Sequence, residues 1–323
     1  MQYQIKHVTA YRYSEPVRES QMDVRMEPRS EQYQRCWSFR LTTSPQAEIS
    51  NYRDAGNNTV HHFDIPHPHT RLVITAESLV ELSPHPSLPE SLPSTAWDEL
   101  DSLGDDVEEA FDMLQPSPFA ANSSALDQFV ARLDIRRLGD PLTTVKMLNS
   151  TIFGAFAYAP QSTRVDSPID DALHNRRGVC QDFAHIMIAL CRRLGIPCRY
   201  VSGFLFHRIE DHDRSSEDAT HAWVEALLPN LGWVGFDPTN NLIAADRHIR
   251  TAIGRDYADV PPTRGIFKGE AKTESELTVR VRVASSRSLD ANDVTRSIAP
   301  GLGGSGLPRR RSPTVDQQQQ QQQ

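Results

Sequence analysis

The chain has 323 residues, 38% of them hydrophobic, and its 42 Asp and Glu outnumber 34 Lys and Arg for a formal net charge of −8. That length accommodates two compact domains, while the acidic balance argues against partners held through phosphate charge, so no nucleic acid and no membrane is expected as a partner. No apolar run approaches the roughly 18 residues of a membrane span.

In chain order, residues 1–83 read as an N-terminal β domain, a small β-sandwich. The opening segment Met1-Gln2-Tyr3-Gln4-Ile5-Lys6-His7 lacks the apolar core of a secretory signal. Instead it begins a strand, with Tyr3-Gln4-Ile5-Lys6-His7-Val8 as an alternating run. Segment 36–43 carries Trp37, Phe39 and Leu41 on one face. Asp54-Ala55-Gly56-Asn57-Asn58 is turn chemistry, and strand signals follow at 59–65 and 72–82. Residues 84–120 read as a linker with weak helix: 84–93 holds four prolines and 95–114 is acidic.

Residues 121–285 form the second expected domain. Asn122-Ser123-Ser124 is a cap for a helix carrying Leu126, Phe129, Val130 and Leu133, and Pro141 opens another that runs to about residue 153. The best-patterned helix starts at Cys180, with Phe183, Ala184, Met187, Ile188, Cys191 and Leu194 on one stripe and Gly195 and Pro197 as its stop. Strands are expected at 198–206, 222–228 and 233–236, and one more where Val279, Val281 and Val283 alternate with arginines. Residues 286–323 are Gly- and Ser-rich, contain Arg309-Arg310-Arg311 and end in seven glutamines; a disordered tail is expected.

A thiol attacks carbonyls as the thiolate, which is enriched by a helix N-terminus or a neighbouring imidazolium. Cys180 follows Arg177-Gly178-Val179 and opens the patterned helix, where Gly178 would let the chain turn and the Cys180 N–H would face a forming oxyanion. His221 begins one expected strand and Asp237 ends the next. Two antiparallel strands joined at 229–232 would bring a base and its orienting acceptor to one end of a sheet. Spacing alone leaves that pairing open.

The runs Arg177-Gly178-Val179-Cys180-Gln181-Asp182-Phe183-Ala184-His185, Leu194-Gly195-Ile196-Pro197-Cys198-Arg199-Tyr200-Val201-Ser202-Gly203, His221-Ala222-Trp223-Val224 and Gly235-Phe236-Asp237-Pro238-Thr239 resemble the transglutaminase-like cysteine enzymes of bacteria. Ile5-Lys6-His7-Val8-Thr9-Ala10-Tyr11-Arg12-Tyr13, with Asp54-Ala55-Gly56-Asn57, is similar to the β domain preceding this core in a bacterial subgroup. The resemblance implies an α+β, papain-like core, with the cysteine helix packed on an antiparallel sheet and residues 121–285 as the catalytic unit. It implies a catalytic triad of Cys180 as nucleophile, His221 as general base and acid, and Asp237 as orienting carboxylate. Tyr158, Thr163, Gln181 and Trp223 are further candidates for the substrate pocket or oxyanion site.

The expected chemistry is thiol acyl transfer on a protein or peptide amide, with hydrolysis by a cysteine peptidase or amidase favoured. Cross-linking of glutamine to an amine, and a non-catalytic peptide-binding module, are the alternatives. No cofactor is required and no EF-hand pattern is present. The histidines His61, His62, His67 and His69 raise a metal reading, but Pro68 splits the last two and no carboxylate pattern fixes a geometry, so no metal is expected. Cys191 and Cys198 read as buried apolar thiols, His185 as packing and Asp182 as a first-turn acid. Four cysteines (Cys36, Cys180, Cys191 and Cys198) without a Cys-x-x-Cys pair fit free thiols and a cytoplasmic location.

Overall fold

Strand side chains alternate between faces, and in the first strand Tyr3, Ile5, His7 and Thr9 are buried while Gln2, Gln4 and Lys6 are exposed. The computed structural model describes residues 1–106, 108–270 and 272–285; the expected tail 286–323 lies outside them. The N-terminal strands are β1 (Gln2–Val17), β2 (Glu19–Val24), β3 (Gln34–Ser44), β4 (Ile49–Arg53), β5 (Thr59–Ile65) and β6 (His69–Leu82). Then come α1 (Ala96–Asp106), α2 (Glu108–Leu114), α3 (Ser124–Leu133), α4 (Pro141–Ala155), β7 (Ala157–Tyr158), α5 (Ile169–Asn175), β8 (Arg177–Gly178) and α6 (Cys180–Arg193). The chain continues through β9 (Cys198–Leu205), β10 (His221–Leu228), β11 (Gly232–Asp237), β12 (Leu242–Ala244), β13 (His248–Gly254), β14 (Thr263–Lys268) and β15 (Ser275–Ser285).

Two four-stranded antiparallel sheets, ordered β15-β1-β6-β3 and β14-β2-β5-β4, make the expected sandwich. Its core is built from Tyr13, Val17, Met22, Phe63, Leu72 and Ile74. The expected boundaries need correction here. β15 pairs along β1 from Tyr3 opposite Ser285 to Tyr13 opposite Ser275, and β14 pairs along β2. The last two strands of the expected 121–285 unit therefore complete the first domain. The reason is edge closure: β1 and β2 would otherwise present unpaired N–H and C=O rows, and Val281 supplies an apolar side chain for the inner face. One further local expectation fails. A bulge between Cys36 and Ser38 takes Trp37 off the Phe39 and Leu41 face; it lies 48% exposed, with its indole N–H on Glu81 and Arg35 over its ring.

The second unit is an α+β layer. A five-stranded antiparallel sheet, ordered β12-β11-β10-β9-β13, packs one face on α6. Ala222, Val224 and Ala226 of β10 and Phe236 of β11 join the core around that helix. Alternation then places His221, Trp223 and Glu225 on the other strand face. α6 was expected to bury one stripe, but Ile186, Ala189 and Leu190 are buried as well, because α4 and α5 also pack on it. Each such Leu or Ile contributes about 1.5–3 kcal/mol on burial. The proline-rich stretch 84–97 is tied to the second unit: Lys146 Nζ donates to the carbonyls of Pro89 and Glu90, and the Trp97 indole donates to Leu138 O.

The two units share a small core of their own. Tyr3 and Ile5 of β1, with Val80, Leu82 and Val281, pack against Phe204 of β9 and Ile249 of β13. The sandwich thus covers part of the sheet that carries the candidate site.

Candidate active site

Cys180 is the first residue of α6, after Val179 in extended conformation (φ −116°, ψ 179°). Helix N-termini leave their first N–H groups without intrahelical acceptors. The Asp182 carboxylate takes one of the local donors, accepting from Val179 N at 2.8 Å. It also accepts from the Thr163 hydroxyl at 2.6 Å, which ties the upstream loop to the helix start. Burial pushes the Asp182 carboxyl up to about 6, with the two hydrogen bonds opposing.

Two expectations change on this geometry. Thr163 does not face the pocket: its hydroxyl is committed to Asp182, so it orders the helix start and does not polarise a carbonyl. Gly178 serves space more than a sharp turn, since a Cβ there would lie 2.7 Å from the Asp182 Oδ2 that caps the helix.

His221 opens β10, pairing with Gly203 of β9, and Asp237 closes β11. Both are buried, and His221 Nε2 lies 2.8 Å from Asp237 Oδ2. That bond leaves Nδ1, which is buried without a hydrogen-bond partner among the described residues, as the nitrogen available to Cys180. The Cys180 sulfur is close enough to act on the ring. Burial works against charge on His221; the Asp237 carboxylate and then the Cys180 sulfur outweigh it and raise the imidazole to about 10. The structure places Cys180 and His221 on the wall of one small cavity, with Asp237 bonded to His221.

Asp237 is fully buried and heavily bonded. Oδ2 accepts from His221, from His248 Nε2 at 3.1 Å and from Asn240 Nδ2 at 2.8 Å, while Oδ1 accepts from Thr239 N at 2.9 Å and Asn240 N at 3.3 Å. Burial raises the carboxyl, but His221 first and His248 after it hold it well below the ordinary carboxylate range. His248 is itself lowered, mainly by burial with Asp237 opposing, so it serves as a neutral Nε2–H donor.

Sequence reasoning missed His248, Asn240 and Thr239. His248 stands first in β13, a strand not anticipated, although Ile249, Ala252 and Ile253 gave it an apolar pattern. Among the described residues His221, Asp237 and His248 are also the one His/Cys/Asp/Glu group that could hold a metal ion, their donor atoms lying within 4.8 Å of one another. Hydrogen bonds alone account for that arrangement. The four histidines at 61–69 do not converge: His61 meets Glu27, His62 meets Asp23, and His69 meets Ser20 and the carbonyl of His67.

The remaining candidates divide. Gln181 lines a cavity of about 20 Å³ beside Cys180 and His221, with its amide fixed on Val165 O at 2.8 Å. Tyr158, the second residue of β7, has its hydroxyl raised by burial and by the nearby Cys180 sulfur, and it bonds backbone at Ser216. Trp223 stacks on His221 at 6.0 Å between centroids and 26° between planes, and so walls the imidazole. His185 is structural, as expected: it accepts from Tyr257 N at 3.2 Å, stacks on Phe119, and burial lowers it to about 3. Cys191 and Cys198 are buried in the apolar core.

With this geometry in hand, comparison with known proteins is informative. Residues 3–81 match the bacterial transglutaminase-like N-terminal region, and residues 129–238 match the transglutaminase-like superfamily. An uncharacterized protein of Mycobacterium leprae is 35% identical over 280 residues, covering 86% of this chain and 97% of that protein. The chain belongs to the transglutaminase-like superfamily. A crystal structure from Cytophaga hutchinsonii, of a protein provisionally named a cysteine protease, aligns with a TM-score of 0.69 at 20% identity, covering 98% of this chain and 96% of that one. It shows the same fold across both units. A protein-glutamine gamma-glutamyltransferase of Pseudomonas aeruginosa is 32% identical over 88 residues, which is 26% of this chain and 13% of that protein.

Proposed function

We propose that this transglutaminase-like chain carries out thiol acyl transfer on peptide or isopeptide amides, with Cys180 as nucleophile, His221 as general base and acid, and Asp237 as its orienting carboxylate. One observation carries the reading: a buried imidazole, held at 2.8 Å by a fully buried carboxylate, shares a small cavity with a helix-start cysteine. No packing need explains that arrangement, since burying charge is costly even when it is paired.

In the first step the Cys180 sulfur bonds to the amide carbon, and the carbonyl electrons move to oxygen. First-turn N–H groups of α6 stabilise that oxyanion. The C–N bond then breaks as His221 gives its proton to the leaving nitrogen, and a thioester remains on Cys180. Water next loses a proton to His221 and attacks, releasing a carboxylic acid and the thiol.

Hydrolysis is favoured over cross-linking because the space beside Cys180 is about 20 Å³, room for one water and for no amine side chain without movement of its walls. The Pseudomonas relative's name supports the second reading, transfer from glutamine to an amine. A glutamine-donor peptide assayed with and without a labelled primary amine separates them. Ammonia release with negligible label uptake supports hydrolysis; uptake that outruns ammonia release overturns it. The non-catalytic module predicts no turnover of any amide by the wild type, and a substrate turned over by wild type but not by Cys180→Ala removes it.

A further inference from the structure

Behind the candidate triad, on the face of the five-stranded sheet turned away from α6, lies a second and much larger cavity of about 750 Å³. Its size falls within the range of roughly 300–1,000 Å³ typical of small-molecule sites. The sheet supplies Trp223, Trp233 and His248, and the proline-rich crossing supplies Pro84, His85 and Leu88 as the opposite wall. None of these residues except Trp223 was expected at the site, and acyl transfer at Cys180 does not use the space.

Two polar atoms in the lining lack a hydrogen-bond partner among the described residues: Trp223 Nε1 and His85 Nδ1. Trp223 is 1% exposed, and a buried N–H of this kind is costly to leave unpaired. The wall beside it is built from small residues. Gly235 lines the cavity beside it, where a Cβ would come within 3.5 Å of Nε1 and within 2.6 Å of the Ala244 Cβ. The indole donor thus sits behind Gly235 and Ala244, two wall residues with little side-chain bulk. Burial, with Arg250 adding to it, lowers His85, so that ring enters the cavity neutral.

The same residues touch the acyl-transfer centre. Trp223 stacks on His221 and meets His248 edge-on at 5.1 Å, and His248 bonds the Asp237 oxygen that holds His221. We propose that this cavity binds a small molecule with an apolar ring and an oxygen acceptor for Trp223 Nε1, and that its occupancy adjusts the triad through Trp223 and His248. Binding is independent of the proposed function, whereas the adjustment rests on it.

The probe is 8-anilinonaphthalene-1-sulfonate, which joins aromatic rings to sulfonate oxygens. Its fluorescence is titrated on the full chain, on Ile243→Trp, which fills the cavity from an edge-strand position 39% exposed, and on Ser87→Trp, which fills it from the crossing. Expected is saturable binding to one site per chain, weakened at least tenfold in both variants. A saturating probe should also change the rate of Cys180 labelling by iodoacetamide at least twofold in the wild type and not in the variants. No saturable binding, or equal binding by both folded variants, overturns the site. Probe-independent labelling of Cys180 overturns the coupling. Amide turnover that survives Cys180→Ala would sink the proposed function and leave the titration result standing, so the two failures are distinguishable.

Discussion

Replacing Asp237 with asparagine removes one charge from a place where every oxygen lone pair is engaged. Holding His221 protonated to about pH 10 rather than 6.5 corresponds to ~5 kcal/mol of preference for the imidazolium, at about 1.4 kcal/mol per pH unit. Most of the favourable part comes from Asp237, because burial acts against the charge. The amide of Asp237→Asn would also turn an N–H₂ toward donors from His221, His248 or the backbone of Thr239 and Asn240. The ring would then lose both charge and tautomer control, a change worth roughly 10³–10⁴ in turnover for triads of this logic. The sign of the pH effect follows. A histidine raised by its partner contributes stability that is complete below its unfolded value of about 6.5 and is lost as pH rises through about 10. Urea unfolding should therefore show wild-type stability falling between pH 7 and 10 and a flatter curve for Asp237→Asn. Iodoacetamide labelling of Cys180 at pH 6.5 should slow at least tenfold. Unchanged labelling together with an unchanged alkaline decline would refute the assignment of Asp237 as the group that charges His221.

Other outcomes follow from single contacts. His248→Phe keeps an aromatic ring but removes one donor from Asp237, and amide turnover should fall about tenfold while thermal melting drops by a charge-assisted hydrogen bond, ~1.5–3 kcal/mol; wild-type turnover would deny it a positioning role. Thr163→Val should cost ~1 kcal/mol in urea unfolding with turnover changed only a few-fold, since the hydroxyl serves Asp182; loss of turnover without loss of stability would restore it to the pocket. Asp182 is raised to about 6, so its contribution is complete below about 3.8 and is lost as pH climbs through 6. Asp182→Asn should accordingly gain in melting temperature relative to wild type between pH 4 and 7, and a constant difference would contradict that. Glu225 is buried between Arg199 and Arg250 at 2.8 and 3.0 Å; Glu225→Leu leaves Arg199 with Glu109 alone and Arg250 with Glu31 alone, and should cost about 3 kcal/mol by urea unfolding, the low end for a broken buried pair.

Much of the fold was legible because local chemistry and tertiary need agree. The Cys180 helix, the Ser123 cap, which accepts from Leu126 N, and the strand at 59–65 are written in periodicity and capping residues. Where the two part, the sequence is silent. Nothing local in Thr263–Lys268 says that it pairs with Glu19–Val24 across more than two hundred residues; only the unpaired edge of β2 explains it. Trp37 reads as core until the bulge before Ser38 turns it out. At the site, residue types and family resemblance single out Cys180, His221 and Asp237, each of which stands at an element boundary. His248 stayed hidden because its meaning lies in a shared carboxylate oxygen, and a strand-opening histidine has no spacing signature. Thr163 reads in the sequence as a pocket or carbonyl-polarising candidate, whereas its hydroxyl donates to Asp182, because proximity along a loop does not reveal which way a hydroxyl donates.

The central claim is a thioester on Cys180. Intact-mass and peptide mass spectrometry of the protein quenched in acid during turnover of an amide substrate, beside Cys180→Ala, tests it most directly. The account predicts an acyl adduct on the peptide containing Cys180 in the wild type, and neither adduct nor turnover in the variant. Amide turnover by a folded Cys180→Ala protein would contradict it.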